Sequence, residues 1–211
     1  FDGERLIQHI IKQRYFEEEI SNEVNLSYSD NQVTVTTDYL TLVYTLNSEG
    51  YASQCVYSLS SQNRIYQFSY SAEGYLTGIV ENIDNREYSS TSLTYENGDI
   101  TSISSKMNGL ENKFIYEPGE ESSTYHLPCL GLLEIHPLTF HIEALYAGLL
   151  GKDPRHFTIR SCPAGSNDEK TVYSYGFDKK GNPSRMICQT TYAGGQASYY
   201  PYTRNISISF E

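Results

Sequence analysis

The strongest constraint on the fold is a short pattern that recurs along the chain. Two apolar or aromatic residues, two positions apart, precede a polar turn, and further apolar residues follow it. The clearest copy is "FSYSAEGYLTGI", which runs through Gly74. The other copies have their turns at Asn31, Gly50, Gly98 and Gly181. Five copies in register are a strong signal of internal repetition.

Each copy predicts a β-hairpin. Residues i and i+2 of the incoming strand share one face, and the glycine or asparagine lies where the turn needs a positive φ. Further strand candidates lie between the copies, and "RNISISFE" alternates with the period of a half-buried strand. The predicted fold is mainly β: an antiparallel up-and-down meander of repeated hairpins, curled into an open or closed barrel-like sheet.

Two segments depart from this rhythm. "RLIQHIIKQRYFEEE" fits either an amphipathic helix or a strand, and its periodicity leaves both open. The second segment predicts a helix near 137–151, with Pro137 in its first turn and Gly151 at its C-terminus. Its apolar residues at helical spacing are Leu138, Ile142, Leu145 and Leu149. This helix would be inserted within an irregular segment at about 124–165.

Length and composition favour one β-rich domain over residues 1–211. A chain of 211 residues with 38% hydrophobic residues has enough apolar side chain for a core. The aromatic residues are 20 tyrosines and 8 phenylalanines, without tryptophan. Tyrosine forms strands well and keeps its hydroxyl in water while the ring packs, which suits a sheet with one solvated face.

The net charge of −11 limits the classes of partner. A nucleic-acid ligand is not expected, because phosphates require a basic surface, and an anionic membrane surface is disfavoured for the same reason. No apolar run approaches the ~20 residues that cross a bilayer. The chain begins at Phe1, so we expect that a targeting segment preceded it.

The four cysteines do not form a C-x-x-C pair, which argues against a zinc ribbon or a thioredoxin-like site. Cys129 and Cys162 flank the irregular segment, and a disulfide between them would join its two ends. The alternative is four buried thiols, with Cys55 and Cys188 as the other two. Both possibilities stay open at the sequence level.

The sequence carries no recognisable catalytic or metal-binding motif. Glu134, His136 and His141 lie close together, but their spacing is not H-E-x-x-H and Pro137 interrupts any shared helix. A G-x-S-x-G nucleophile setting and a glycine-rich phosphate loop are both missing from the sequence. We therefore predict no catalytic residues, no metal and no cofactor, and hence a protein that is not an enzyme.

One segment has the composition of a ligand-binding loop. "TYAGGQASYYPYTRN" places tyrosines around a flexible glycine pair, and exposed tyrosines can stack on sugar rings. The candidate ligand-binding residues are Tyr192, Tyr199, Tyr200 and Tyr202. The alternative is a last hairpin whose tyrosines pack onto the sheet.

Two resemblances follow from the hairpin motifs. "YSAEGYL" and "FDKKGNP" are similar to the tyrosine–aspartate (RHS-type) repeats of secreted bacterial proteins, although Ser29, Ser71 and Glu96 replace the aspartate. More closely, the whole chain resembles a family of Bacteroides-type secreted lipoproteins of unknown function, in which hairpins precede a segment like "ALYAGLLGKDP". That resemblance implies a porin-like curled antiparallel sheet. It also implies an extracytoplasmic location, periplasmic or anchored to the outer membrane by a lipid, and it transfers no catalytic residue.

Three functions remain after these exclusions. The leading hypothesis is a non-enzymatic binding or structural domain of a bacterial surface lipoprotein, monomeric, which recognises a glycan or a protein. The alternative is a carrier of a lipid or other apolar ligand, held in a cavity lined by Tyr70, Leu76, Ile79 and their equivalents. The third is a hydrolase without a sequence signature.

Overall fold

The computed structural model describes residues 5–15, 18–59, 62–122, 136–166, 169–177, 179, 183–192 and 202–207. Within these ranges the chain forms one sheet of fourteen antiparallel strands. Their bounds are β1 Gln8–Tyr15, β2 Glu18–Tyr28, β3 Gln32–Thr36, β4 Thr41–Leu46, β5 Ala52–Leu59, β6 Gln62–Tyr70, β7 Leu76–Ile83, β8 Arg86–Glu96, β9 Asp99–Met107, β10 Leu110–Ser122, β11 His156–Pro163, β12 Glu169–Phe177, β13 Pro183–Tyr192 and β14 Tyr202–Ser207.

The order of strands in the sheet is their order along the chain, so the predicted up-and-down meander is confirmed. Within the described part of the chain β1 and β14 pair with one neighbour each, which leaves the sheet open rather than closed into a barrel. The ambiguous N-terminal segment is a strand: β1 pairs with β2 from Gln8–Asn25 to Tyr15–Glu18. The sequence pattern alone does not show this pairing, and the pairing decides in favour of a strand.

Equivalent positions of the predicted hairpins lie on one buried face. Tyr44, Phe68 and Leu93 occupy the same place in three incoming strands, and all are buried. In the outgoing strands Ile79 and Ile103 are buried as well. Side chains alternate between the two faces of a strand. The two-residue spacing of the pattern therefore places one face of the sheet in the core and the other in solvent.

The turns follow the prediction at three of the five copies. Gly50, Gly74 and Gly98 have φ values of 86°, 92° and 88°, in the left-handed region that glycine adopts at low cost. The prediction is wrong for Asn31, which is not among the residues with positive φ. That turn is closed instead by the backbone N–H of Ser29, which donates to the carbonyl of Gln32 at 2.9 Å. The copy at Gly181 lies outside the described residues.

The hairpins with turns at Gly50, Gly74 and Gly98 share an irregularity in strand pairing at equivalent positions. The pairing register shifts after Thr45, Ser69 and Thr94, one residue before the apolar residue that precedes the turn. A β-bulge bends its strand and increases the local twist. Bulges repeated in three successive hairpins therefore contribute a repeated bend to the sheet.

The predicted helix is shorter than the sequence pattern suggested. A 3-10 turn spans Leu138–Phe140 and α1 spans Ile142–Tyr146. Helix α1 stops at a Schellman motif: Gly148 has a φ of 69° and donates its N–H to the carbonyl of Leu145. Leu149 donates to the carbonyl of Ala144. The first of two glycines ends the helix, which corrects the prediction of a helix extending to 151.

The insertion, residues 136–155, crosses the apolar face of the sheet and then returns along the hairpin ends. Its outward part carries Leu138, Ala144 and Leu145, which are buried in the same core as the sheet residues. None of the helices in the described ranges has the length and apolar composition needed to cross a membrane.

The return path is fastened to successive hairpins by backbone hydrogen bonds. Ala52 donates to the carbonyl of Leu149 at 2.7 Å, and Lys152 donates to the carbonyl of Gly74 at 2.9 Å. Arg155 then donates to the carbonyl of Gly98 at 3.0 Å. Three extended residues span about 10 Å, which matches the width of two strands at roughly 4.8 Å each. The return path therefore meets one hairpin every three residues.

Gly151 allows the closest of these approaches. A Cβ atom at this position would lie 2.6 Å from the carbonyl oxygen of Gly74 and 3.1 Å from the ring of Tyr70. Its φ of 88° also lies in the left-handed region. Both the space and the backbone angle require glycine here.

Candidate functional site

A buried ionic cluster fixes where the insertion lies. We define the Glu81 cluster as Arg64, Tyr66, Glu81, Ser89 and His136. The carboxylate on β7 accepts hydrogen bonds at one oxygen from Arg64 Nη1 at 3.1 Å and the Tyr66 hydroxyl at 3.2 Å. Its other oxygen accepts from the Ser89 hydroxyl at 2.8 Å and lies 2.6 Å from His136 Nε2. Four partners therefore surround one fully buried carboxylate.

The environment of Glu81 favours its ionised form. Burial favours the protonated carboxyl and acts to raise the pKa. The hydrogen bonds from His136 and Ser89, together with the electrostatic attraction of His136, outweigh burial and lower the pKa of Glu81 below its ordinary value. The ionised carboxylate is thus part of the folded structure.

The backbone of His136 is held to the same region of the sheet. Its carbonyl accepts hydrogen bonds from the hydroxyls of Thr91 on β8, at 3.1 Å, and Ser105 on β9, at 3.3 Å. With the bond to Glu81 on β7, residue 136 contacts three neighbouring strands. The cluster therefore attaches the start of the insertion to the sheet.

His141 attaches the middle of the insertion further along. Its side chain is fully buried, and Nδ1 shares a hydrogen bond with the Tyr44 hydroxyl at 2.7 Å. The rings of Tyr66 and Phe68 contact it edge to face, with centroids 4.5 and 5.3 Å away. Burial lowers the pKa of His141 to about 3, although the negative charge of Glu81 acts in the opposite direction. The imidazole is consequently neutral at physiological pH.

Beyond His141 an open cleft lies between the insertion and the first strands. We define the cleft as the space of about 300 Å³ between β2, the β3–β4 turn and residues 140–143. Its apolar lining consists of Val24, Val35, Leu40, Leu42, Phe140 and Ile142. Of the described residues, Glu23, Asp38 and Glu143 form its charged lining, and Thr37 and Tyr39 also line it.

A short turn between β3 and β4 builds one wall of the cleft. The Thr37 hydroxyl accepts hydrogen bonds from the backbone N–H groups of Tyr39 and Leu40, at 3.2 and 3.1 Å. The N–H of Thr37 in turn donates to the carbonyl of Leu40 at 2.9 Å. These bonds fix the turn locally, as threonine hydroxyls commonly do. Tyr39 is 86% exposed, so the turn presents an aromatic ring to solvent.

The insertion builds the opposite wall. Phe140, in the 3-10 turn, is 44% exposed, whereas Glu143, in α1, is 9% exposed. An exposed phenylalanine beside a nearly buried carboxylate is an uncommon arrangement for a protein surface. Chemically, the cleft offers apolar contact, two accessible aromatic rings and carboxylate acceptors. Within the described ranges, no three metal-binding side chains come together as a cation would require.

The tyrosines predicted from the sequence are not tested. Tyr192 ends β13 and Tyr202 begins β14, but the placement of their side chains is not described. Tyr199 and Tyr200 lie outside the described residues. All four stay predictions.

The other grouped candidates have separate positions. His136 and His141, close in sequence, contact different partners, Glu81 and Tyr44. Cys162 lies half-buried near the end of β11, and its proposed partner Cys129 lies outside the described residues. The Cys129–Cys162 disulfide therefore stays a prediction.

Sequence reasoning missed the cleft. Its accessible rings, Tyr39 and Phe140, are about a hundred positions apart, and only the insertion brings them together. The available signal was "TTDYL", where an aromatic residue lies in a polar turn. The residues expected to line a carrier cavity lie elsewhere: Leu76 and Ile79 belong to the core, and the Tyr70 hydroxyl donates to the carbonyl of Ala52 at 2.6 Å.

Known proteins resemble this chain over most of its length. Residues 2–185 match the family described as "Domain of unknown function (DUF4595) with porin-like fold". The crystal structure of a porin-like protein from Bacteroides uniformis is similar to this structure, with a TM-score of 0.86. The two sequences are 28% identical, and the match covers 98% of this chain and 85% of that chain. A second, from Bacteroides vulgatus, has 12% identity and a TM-score of 0.61, covering 96% and 97%, and it shows the fold alone. No curated protein matches the chain.

Proposed function

Since the chain belongs to the domain of unknown function (DUF4595) with porin-like fold, we propose that it is a non-enzymatic, extracytoplasmic binding domain of a bacterial surface lipoprotein. Its ligand is a glycan or a protein, and the cleft is where that ligand binds. The observation that carries this proposal is the pair of accessible aromatic rings, Tyr39 and Phe140, on opposite walls of a cleft that also presents carboxylates.

The chemistry of the cleft fits recognition. Aromatic faces contact the C–H faces of sugar rings or the side chains of a protein partner, and carboxylates accept hydrogen bonds from hydroxyl and amino groups. The turn that carries Tyr39 is fixed by the Thr37 hydroxyl before any ligand arrives. A fixed wall reduces the conformational entropy that binding would otherwise cost.

The contacts of the Glu81 cluster, which lies outside the cleft, support a structural rather than a catalytic role for its ionisable groups. In the Glu81 cluster, both carboxylate oxygens are occupied by protein donors. A catalytic acid or base must reach a substrate in a plausible pose. The cluster instead joins the insertion to β6, β7 and β8.

Backbone NMR with the ¹⁵N-labelled protein tests recognition in the cleft. A panel of mono- and disaccharides and surface-derived peptides is titrated, and shifts are mapped onto residues 37–42 and 140–143. Tyr39→Ala should abolish the shifts caused by a ligand that binds there. Leu110→Ala, which removes another well-exposed side chain outside the cleft, should preserve them. Shifts that survive Tyr39→Ala unchanged would place recognition elsewhere on the domain.

One observation favours the carrier as a second candidate: six apolar side chains line the cleft. A carrier for an apolar molecule should retain cargo through purification. Native mass spectrometry would then show a mass adduct that disappears on denaturation. A bare protein that nevertheless responds to saccharides or peptides would favour recognition.

Export and lipid attachment rest on resemblance to the secreted lipoproteins. Metabolic labelling of the natural full-length protein with a palmitate analogue tests the anchor. Protease treatment of intact cells tests exposure at the surface. A full-length protein that incorporates no lipid and stays with the cytoplasmic fraction would contradict this part of the proposal.

A further inference from the structure

We propose that the cleft selects the part of its ligand that carries a protonated amino group on a single ring or a short apolar body. This inference rests on the proposed binding function and specifies which chemical group of a glycan or protein the cleft recognises. It follows from four properties of the cleft: the sign of its charges, the spacing of its carboxylates, its apolar lining and its two accessible rings.

Among the described residues that line the cleft, every charged side chain is acidic. They are Glu23, Asp38 and Glu143. Opposite charge is the first requirement for selecting a cation, and the net charge of −11 adds long-range attraction. An anionic ligand would be repelled by these carboxylates. The sign of the charges therefore distinguishes an amine from a carboxylate or a phosphate.

Neutral groups hold one of these acids in place. Glu23 Oε1 accepts hydrogen bonds from the side-chain amides of Gln8, at 2.9 Å, and Asn25, at 3.2 Å. Amide donors orient a carboxylate without neutralising its charge. Glu143 contributes in another way, since at 9% exposure it lies in a less polar environment where attraction to a cation is stronger.

The spacing of the carboxylates favours an organic cation over a metal ion. Among the described residues, no three acidic, histidine or cysteine side chains are close enough together to hold a metal. Calcium and magnesium need several oxygen ligands within about 2.0–2.6 Å. An ammonium group needs fewer contacts and accepts acids on separate walls, which is the arrangement found here.

The apolar lining and the rings receive the body of the ligand. Tyr39 and Phe140 can contact an ammonium group or its attached carbon atoms through their faces. Five aliphatic side chains among the described residues line the remaining surface. A volume of about 300 Å³ lies at the lower end of small-ligand pockets. One ring or a short chain therefore fits, and an extended lipid tail does not.

Three probes with one shared ring test the proposal: cyclohexylamine, cyclohexanol and cyclohexanecarboxylate. Each is titrated into the ¹⁵N-labelled protein at pH 7, with shifts followed at residues 37–42 and 140–143. We expect cyclohexylamine to bind at least about tenfold more tightly than cyclohexanol, and the carboxylate to cause no saturable shift. The preference should weaken in 0.5 M salt, which screens accessible charges.

A charge-matched pair of variants makes the test specific to the cleft. Asp38→Asn removes a carboxylate from the exposed turn and should weaken the amine about three- to fivefold while leaving cyclohexanol unchanged. Glu49→Gln alters the net charge equally on the exposed β4–β5 turn, outside the cleft, and should change neither affinity. Both substitutions are on exposed turns, so folding should be retained, and circular dichroism checks it.

Each remaining outcome overturns the inference. Equal affinity for the amine and the alcohol would remove charge selection while leaving binding in the cleft, and hence the proposed function, intact. Amine shifts spread over the acidic surface, or equal losses in the two variants, would identify a non-specific counterion effect. If no probe shifts the cleft resonances at millimolar concentration, the ligand class is wrong. The saccharide and peptide titrations then judge the proposed function separately.

Discussion

The buried imidazole of His141 should make the domain lose stability in mild acid. In the folded protein burial lowers its pKa from 6.5 to about 3, so it stays neutral. In the unfolded chain the same group becomes protonated as the pH falls below about 6.5. Between these values the unfolded state binds the additional proton, and protonation therefore favours unfolding. The stabilisation is fully present above pH 6.5 and is lost as the pH falls toward 3.

The loss of stability depends on the difference between the solution pH and the pKa of His141 in the unfolded chain. At pH 5 the interval is about 1.5 units, and each unit corresponds to 1.36 kcal/mol, which gives a loss of about 2 kcal/mol. For a domain of about 200 residues, this corresponds to a decrease in Tm of roughly 4–8 °C. Glu81 does not contribute at pH 5, because its pKa is lowered and its stabilisation is lost only at more acidic pH.

The assay compares the wild type with His141→Asn in urea at pH 7 and pH 5. Asparagine retains a hydrogen-bond acceptor near the Tyr44 hydroxyl and cannot titrate. At pH 7 the variant should be less stable by about 2 kcal/mol, because it loses the ring contacts with Tyr66 and Phe68. At pH 5 the wild type loses about 2 kcal/mol that the variant does not lose, so the two proteins should become nearly equal in stability.

The comparison is internally controlled. All other titratable groups are present in both proteins, so any pH dependence that the wild type and the variant share cancels in the difference. If the free energies of unfolding of wild type and variant fall in parallel from pH 7 to pH 5, His141 does not titrate as its burial requires. The reasoning would also fail if direct NMR titration of the imidazole in the folded protein gave a midpoint near 6.5.

Three further predictions concern the packing of the insertion and the core. Gly151→Ala should destabilise the domain by about 2 kcal/mol more than Gly109→Ala in urea, because both positions have positive φ but only the first lacks space for a Cβ atom. Glu81→Gln should cost about 2–3 kcal/mol of stability at pH 7, and Glu87→Gln, on an exposed site, should cost almost nothing. Burial raises the pKa of Cys55 to about 12, so iodoacetamide at pH 8 should leave it unmodified until urea unfolds the protein, as peptide mass mapping would show.

The hairpins were predictable because their information is local. Each predicted turn at Gly50, Gly74 and Gly98 needs only a few residues to specify it: a glycine and flanking strand residues with period two. Two other turns were missed although their signals are equally short. "IDNR" has positive φ at Asp84 and Asn85, and "MNGL" has positive φ at Asn108 and its following glycine. These two-residue loops belong to the class that asparagine and glycine favour in hairpins.

The N-terminal strand and the helix show two different limits of sequence reasoning. β1 was ambiguous because a strand and a short amphipathic helix share apolar positions, and pairing with β2 decides between them. The helix was predicted in the right place but with the wrong end. Gly148 and Gly151 both have positive φ, and the sequence alone does not say which of them stops the helix.

The cleft could not be predicted, because no local pattern records the path of the insertion. Tyr39 and Phe140 face one cleft only because the insertion crosses the sheet before returning. That path depends on Glu81 and His141, whose contacts join residues 55 and 97 positions apart. From the sequence alone, a glutamate within a strand is interpreted as a solvent-exposed charge, because its buried partners are not known. Long-range ionic contacts thus determine the site, whereas short-range patterns determine the sheet.

Departures from the repeat carry information that the repeat itself does not. The position after the turn glycine is Tyr51 in one hairpin, Tyr75 in the next and Asp99 in the third. Each of the two tyrosines lies against the turn glycine of the following hairpin, within 3.3 Å of where a Cβ atom would be. Asp99 instead accepts hydrogen bonds from the backbone N–H and Nδ1 of His156, both at 2.8 Å. An aspartate replaces the tyrosine at the point where the insertion ends and β11 begins. In a chain of similar hairpins, the residue that breaks the pattern therefore indicates where a long-range attachment is made.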